Sequence, residues 1–199
     1  MLIDTHIHVA LSGVQPKHQW KQLSIEKKTE LIKNIIQQYK MRNIVAVRDG
    51  GDALFISKLA REVAAAENFT YKSPIYAFYK RGCYGSFLGK PIDDIGSFKG
   101  EFKVLLTYKP DHLKIILTGI VNFKKYGDVG STAFSANELK YMVDSAKFNG
   151  LPVMVHANGV EGVRTAIQSG VDTVEHGYLM SEKELHEMAE KDIIWIPTL

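Results

Sequence analysis

The sequence has a single cysteine, no apolar run long enough to cross a bilayer and no block of like charge, and each scarcity removes a class of protein. Cys83 alone cannot build an internal disulfide framework, and it fits a chain kept in a reducing compartment. A bilayer crossing needs about 20 consecutive apolar residues. The opening Met1-Leu2-Ile3-Asp4 also lacks the basic stretch followed by an apolar one that marks a secretory leader. A cytoplasmic chain without membrane contact is therefore expected. The net charge of +3 is spread over lysines interleaved with acids, as in Glu26-Lys27-Lys28 and Glu182-Lys183-Glu184. That pattern is a solvated surface rather than a nucleic-acid footprint.

What is present is the composition of an ordinary globular chain: 199 residues, 45% hydrophobic and 24% charged, enough for one buried domain spanning 1–199. Short β-rich runs alternate with segments of helical period. Leu2-Ile3 leads into a first strand, and a helix from about Ser24 carries Leu31, Ile32, Ile35, Ile36 and Tyr39 on one face. Asn43 to Val47 reads as a second strand, followed after Asp52 by a helix with Ile56, Leu59, Ala60 and Val63 at i, i+3, i+4 and i+7. Pro74 to Phe78 is the third strand, Gly82 to Gly100 a long loop, and Leu113 to Leu117 the fourth strand. Capping boxes at Ser135/Glu138 and Ser181/Glu184 start two later helices, and Gly150 ends the first of these. Pro152 to Val155, Val171 to Val174 and Ile193 to Ile196 supply strands five to seven, with a helix over Val160 to Gln168. Such alternation predicts an α/β fold with a parallel sheet covered by helices. Periodicity leaves a doubly wound sheet and a closed eight-stranded barrel both open.

The chemistry favours the barrel. His6 and His8 stand at i and i+2, on one face of a strand; His156 ends strand five and His176 ends strand six; Lys114 lies inside strand four between apolar neighbours. In a parallel barrel the C-terminal strand ends converge on one mouth, so residues far apart in sequence meet there. A lone histidine at a strand end is more often a surface group than a ligand. The His6/His8 pair is more informative, because neutral imidazole is a common metal ligand and two on a rigid strand need little ordering. Lys114 alone would read as a snorkelling lysine, but a buried unpaired ammonium is costly and shifts towards the neutral amine, which can take up carbon dioxide as a carbamate.

These residues resemble the amidohydrolase superfamily, and more narrowly the branch of imidazolonepropionase-related enzymes and prolidase-type dipeptidases. The resemblance also runs through Val47-Arg48-Asp49-Gly50, Val155-His156-Ala157-Asn158-Gly159, Val174-Glu175-His176-Gly177 and Ile196-Pro197-Thr198-Leu199. It implies a TIM-like (β/α)8 barrel of which about seven strands are present, incomplete at the C-terminus. It further implies two divalent metal ions, His6 and His8 on one, His156 and His176 on the other, with a carboxylated Lys114 between them. Zinc is the expected metal on frequency alone. Relatives carry a catalytic aspartate on strand eight; no residue here is assigned to that position, and no general acid or base is named. The flanking β-sandwich of many relatives is not expected before His6 and would continue beyond Leu199.

The implied activity is hydrolysis of an amide bond in a small substrate by metal-activated water, a dipeptide-like compound ahead of a lactam or imide. The alternatives are a single-metal hydrolase of an imidazolone-type ring, an ester hydrolase, and a non-catalytic fragment of such an enzyme. Arg81 and Tyr84, in the loop after strand three, are candidates to meet a substrate carboxylate or carbonyl. Asn158 stands where some relatives place a histidine and is a further substrate-binding candidate. Asp49 reads equally as turn-former or site residue, and His18, His112 and His186 as structural or solvent-facing. A small-molecule substrate is the expected partner, and a homo-oligomer is compatible with these features.

Overall fold

The computed structural model describes residues 1–11, 13, 17–122 and 124–198, together with their side chains except those of Lys17 and His18. His18 and Leu199, both singled out in the sequence, thus lie outside the described side chains. The elements run β1 (Leu2–Ile7), a short 3-10 turn (Val9–Leu11), α1 (Lys17–Trp20), α2 (Ile25–Met41), β2 (Ile44–Asp49), α3 (Ile56–Ala66), β3 (Thr70–Lys72), β4 (Ala77–Lys80) and β5 (Gly89–Ile92). They continue with α4 (Ile95–Thr107), β6 (Leu113–Ile116), α5 (Ala136–Phe148), β7 (Val153–Ala157), α6 (Gly159–Ser169), β8 (Thr173–His176), α7 (Glu182–Glu190) and β9 (Ile194–Ile196). No helix among the described residues is long and apolar enough to cross a membrane.

Every strand pairing is parallel. The strands form a three-stranded sheet ordered β1-β2-β3 and a six-stranded sheet ordered β5-β4-β6-β7-β8-β9. The α/β architecture agrees with the expected parallel barrel with its ladder left open: no pairing joins β1 to β9 among the described residues. A cleft of about 520 Å³ separates these two edges, lined by Leu2 to His6 on one side and Ile196 to Thr198 on the other. Leu2, Ile3, Ile194 and Trp195 beside it stay exposed.

Two differences from the sequence reading have local causes. The third strand, expected over Pro74 to Phe78, begins only at Ala77 as β4, because Pro74 cannot donate a ladder hydrogen bond and Ile75 takes a positive φ of 71°. A short strand not expected from the sequence, β3, precedes it and pairs with β2, whereas β4 pairs with β5 and β6. The segment expected as a loop from Gly82 to Gly100 holds β5 and the start of α4. Gly89 is required in β5, since a Cβ there would lie 1.7 Å from the Ala77 carbonyl oxygen of the neighbouring strand. Helix α4 is started by a capping box in which Asp94 accepts from the Ser97 amide at 2.7 Å, and it buries Phe98, Phe102 and Leu105. The boxes at Ser135 and Ser181 form as expected.

Two apolar cores hold the layers together. One packs α2 and α3 on β1 and β2 through Trp20, Ile32, Ile36, Val47 and Ala60; each buried large side chain contributes roughly 1.5–3 kcal/mol. The other packs α4 to α7 on β4 and β6 to β9. Both leave the C-terminal ends of β1, β2, β6, β7 and β8 pointing to one mouth.

Candidate metal centre

Lys114 sits in the middle of β6, in register with Ala77 on β4 and Met154 on β7. It is 1% exposed, and its Nζ is buried with no hydrogen-bond partner. Burial brings its pKa down to about 8; Glu175 opposes the shift and Arg48 adds to it. An orphaned amine in the floor of a cavity is an unfinished site: the molecule leaves room for a group that completes it.

Four histidines ring that amine. The centroids of His6 and His8 lie 5.3 Å apart, those of His6 and His176 4.9 Å, and those of His156 and His176 4.5 Å. One nitrogen of each ring is already engaged. His6 Nδ1 meets Glu175 Oε2 at 2.5 Å, His8 Nδ1 the Gly51 carbonyl oxygen at 3.0 Å, His176 Nδ1 the Thr198 hydroxyl at 2.5 Å, and His156 Nε2 the Gly119 carbonyl oxygen at 3.0 Å. A carbonyl or carboxylate partner accepts from the protonated ring nitrogen, which leaves the second nitrogen of His6, His8 and His156 as a bare acceptor, the form that binds a metal. Burial, reinforced by the nearby Lys114, lowers His6 and His8 to about 4 and His156 to about 3. His176 falls to about 2 through burial, then His156 and Lys114. All four are therefore neutral at neutral pH.

Among the described residues no three histidine, cysteine or carboxylate side chains converge as a single-ion site requires. His6 with His8 and His156 with His176 form two histidine pairs beside the Lys114 amine that could take part in holding a divalent ion.

A second layer fixes this ring, and most of it was missed in the sequence. Glu175 is fully buried and joins His6 to Arg48, whose Nη2 donates to Glu175 Oε1 at 2.8 Å. Arg48 also donates to the Thr5 carbonyl oxygen at 2.8 Å, and Thr173 to Glu175 at 2.6 Å. Burial alone would raise Glu175, but the His6 hydrogen bond, Lys114 and Arg48 outweigh it and hold the carboxylate at about 2. Asp49 proves to be a turn-former that supports the site. It accepts from Val9, Gly51 and the Tyr71 hydroxyl at 2.8, 2.6 and 2.6 Å, pinning the turn whose Gly51 carbonyl orients His8. His112 is structural, its Nε2 on the Asp49 carbonyl oxygen at 3.1 Å, and His186 is exposed. His176 takes a positive φ of 67°, held there by Trp195 Nε1 donating to its carbonyl oxygen at 2.8 Å.

Gly50 backs directly onto His8: a Cβ would lie 2.3 Å from the ring Cε1. The Gly50→Ala variant is expected to lose metal affinity at the His6/His8 pair by about 10-fold to 100-fold with unchanged far-UV circular dichroism. Metal titration checks this, and native affinity would show that the ring tolerates displacement.

The cavity above Lys114 has a volume of about 280 Å³ and is lined by all four histidines, Tyr84 and Asn158. Tyr84 reaches the histidine cluster, its ring 5.5 Å from that of His156. Asn158 is buried, and its Oδ1 accepts from the Tyr178 amide at 3.0 Å. Arg81 does not join them. Its side chain is 62% exposed and paired with Asp93 at 2.6 Å, because Asp93, directly after β5, lies alongside the end of β4 and draws the guanidinium outward.

The model of the amidohydrolase family matches residues 2–196. No curated protein sequence matches the chain. Among solved structures it resembles a Xaa-Pro dipeptidase with bound methionine, at 21% identity and a TM-score of 0.75, covering 98% of this chain and 52% of that one. It also resembles A. niger ochratoxinase, at 16% identity and TM-score 0.77 over 99% of this chain and 52% of that one. Phenylurea hydrolase B matches at 17% identity and TM-score 0.75, over 97% and 51%. At these identities the likeness is one of fold, and the chain spans about half the length of the solved chains it matches.

Proposed function

The chain belongs to the amidohydrolase family, and from that membership we propose that it hydrolyses an amide bond of a small substrate with water activated at a centre of two divalent ions, zinc by frequency. His6 and His8 would hold one ion, His156 and His176 the other, and Lys114 as its carbamate would stand between them. The observation that carries this reading is the buried, partnerless Lys114 Nζ at the focus of four neutral histidines. Its neutral amine adds to carbon dioxide, forming an N–C bond and releasing one proton, and so supplies the anion that the cavity's described lining lacks. Bound ions would lower the pKa of a shared water towards neutrality and polarise the substrate carbonyl.

The chain's own groups do the rest. Glu175 and the Gly51 carbonyl keep the ring protons of His6 and His8 on Nδ1. The Tyr84 phenol, raised by burial, stays protonated and can donate to a carbonyl oxygen. Among the described lining residues there is no carboxylate to move a proton to the leaving nitrogen, so that role is unassigned. The open seam between β1 and β9 supports a second reading, in which this polypeptide by itself is catalytically silent.

Metal analysis tests the first reading. It expects two equivalents per chain and, with isotope-labelled bicarbonate, a carbamate resonance that Lys114→Met abolishes. One equivalent and no carbamate would favour the single-metal alternative and sink the two-ion proposal.

A further inference from the structure

Strand β7 lies between β6 and β8 in the six-stranded sheet, so the residue that follows it can reach the loops after both neighbours. Asn158 holds that position and is 2% exposed. It is also the N-cap of α6, in the extended conformation such a position takes, yet among the described residues no helix amide donates to its side chain. An N-cap asparagine ordinarily spends its oxygen on the amide two or three residues on. Here Oδ1 accepts from the Tyr178 amide at 3.0 Å, in the loop after β8, and Nδ2 donates to the Gly119 carbonyl oxygen at 3.3 Å, in the loop after β6. The backbone adds further ties. The Asn158 amide donates to Thr118 Oγ1 at 3.0 Å, and that hydroxyl donates in turn to the Gly119 oxygen at 3.1 Å. The Gly159 amide donates to the Tyr178 carbonyl oxygen at 2.7 Å.

Each loop held in this way supports a histidine. The Gly119 oxygen is the partner of His156 Nε2 at 3.0 Å. A carbonyl oxygen can only accept, so Nε2 carries the proton and Nδ1 is the bare nitrogen. The same logic orients the Asn158 amide: the Tyr178 N–H can only donate, so Oδ1 faces Tyr178 and Nδ2 faces Gly119. With that carbonyl released, the His156 ring could take either tautomer, and one of them turns a proton rather than a lone pair towards an ion. On the other side, the Tyr178 ring stacks on that of His176, with centroids 6.0 Å apart and planes 25° apart. His176 itself has a positive φ, which a residue other than glycine keeps only where its surroundings impose it.

We infer that Asn158 is a positioning residue for the His156/His176 pair: by clasping the loops after β6 and β8 it holds His156 in the Nε2–H tautomer and His176 beneath the Tyr178 ring. That this pair binds an ion rests on the hydrolase reading, whereas the tautomer is a property of the metal-free chain.

Two substitutions remove the clasp while each preserves a different structural role. Asn158→Leu keeps the volume without a polar group, and Asn158→Ser is too short to bridge the loops but supplies a hydroxyl that caps α6. Heteronuclear NMR of the histidine ring nitrogens in metal-free protein and calorimetric titration with zinc are read for both. The wild type is expected to show His156 in the Nε2–H form alone. Both variants should show it as a mixture of tautomers, with His6 and His8 unchanged. One zinc ion should bind about 10-fold to 100-fold more weakly in them while the other keeps its native affinity. A native tautomer and native affinities in Asn158→Leu would make the residue a space-filler, and the same result in Asn158→Ser would make it a helix cap; either overturns the inference. So does a wild type with His156 in the Nδ1–H form. If the wild type binds fewer than two zinc ions, the two-ion reading falls, and the His156 tautomer in metal-free protein still decides the inference.

Discussion

Replacing Lys114 by methionine is expected to lower kcat/KM by about three orders of magnitude while making the metal-free protein more stable. The two effects separate because the lysine contributes nothing to the fold that methionine cannot. Its stem fills space between Ala77 and Met154, which a methionine of similar length also fills. Its Nζ, buried without a partner, carries a desolvation penalty of roughly 1–3 kcal/mol that the thioether removes. For a chain of this size each kcal/mol raises Tm by about 2–4 °C. Activity falls because the ions lose their shared donor, worth several kcal/mol of transition-state stabilisation at about 1.4 kcal/mol per tenfold in rate.

A pH series gives an independent check. The unfolded chain keeps the lysine proton up to about 10.5, whereas the folded chain releases it at about 8. Between those values the unfolded state binds more protons, so stability rises with pH across that window. Below it the penalty is fully present. Urea unfolding of metal-free protein in carbon-dioxide-free buffer should show this rise in the wild type and its absence in Lys114→Met. A variant that is less stable, or one as active as the wild type, would remove Lys114 from the role assigned to it.

The parts of this molecule legible in the sequence are those whose signal is local. The His6/His8 pair shows its shared face by spacing, the Ser135 and Ser181 boxes name their helix starts, and Lys114 stands out because its neighbours are apolar. Helix α4 carried a readable period in Phe98, Phe102 and Leu105, but a box closed by Ser97 in place of an acid and a glycine-rich lead hid its start. Strand β5 contains Pro91 and pairs along one side, so it lacked the pattern of a buried strand. Arg81 was misplaced because its partner, Asp93, directly follows that unrecognised strand. Glu175 was visible only as part of a motif; its partner His6 lies 169 residues away in sequence, and no spacing rule reaches that far.

That same distance makes Glu175 the position where a single change should cost the fold most. The carboxylate has no exposure and receives Arg48, His6 and Thr173 at once. Because Arg48 lies on β2, His6 on β1 and Glu175 on β8, these bonds tie the three-stranded sheet to the six-stranded one beside the open seam, where no ladder does so. Glu175→Leu strands a largely buried guanidinium, and the loss of one partner from such a pair typically costs about 3–5 kcal/mol. It also frees the His6 ring to turn or change tautomer, which should weaken metal binding by about 10-fold to 100-fold. The double variant Arg48→Met/Glu175→Leu separates the two roles. Removing both charges relieves the unpaired ion, so stability should return to within about 1 kcal/mol of the wild type, whereas His6 still lacks its orienting acceptor and metal affinity stays low. Calorimetric metal titration alongside urea unfolding reads both quantities. If the double variant regained affinity together with stability, Glu175 would be a clasp between the sheets and nothing more. If the single variant unfolded no more easily than the wild type, the seam would be held by the helices packed behind it.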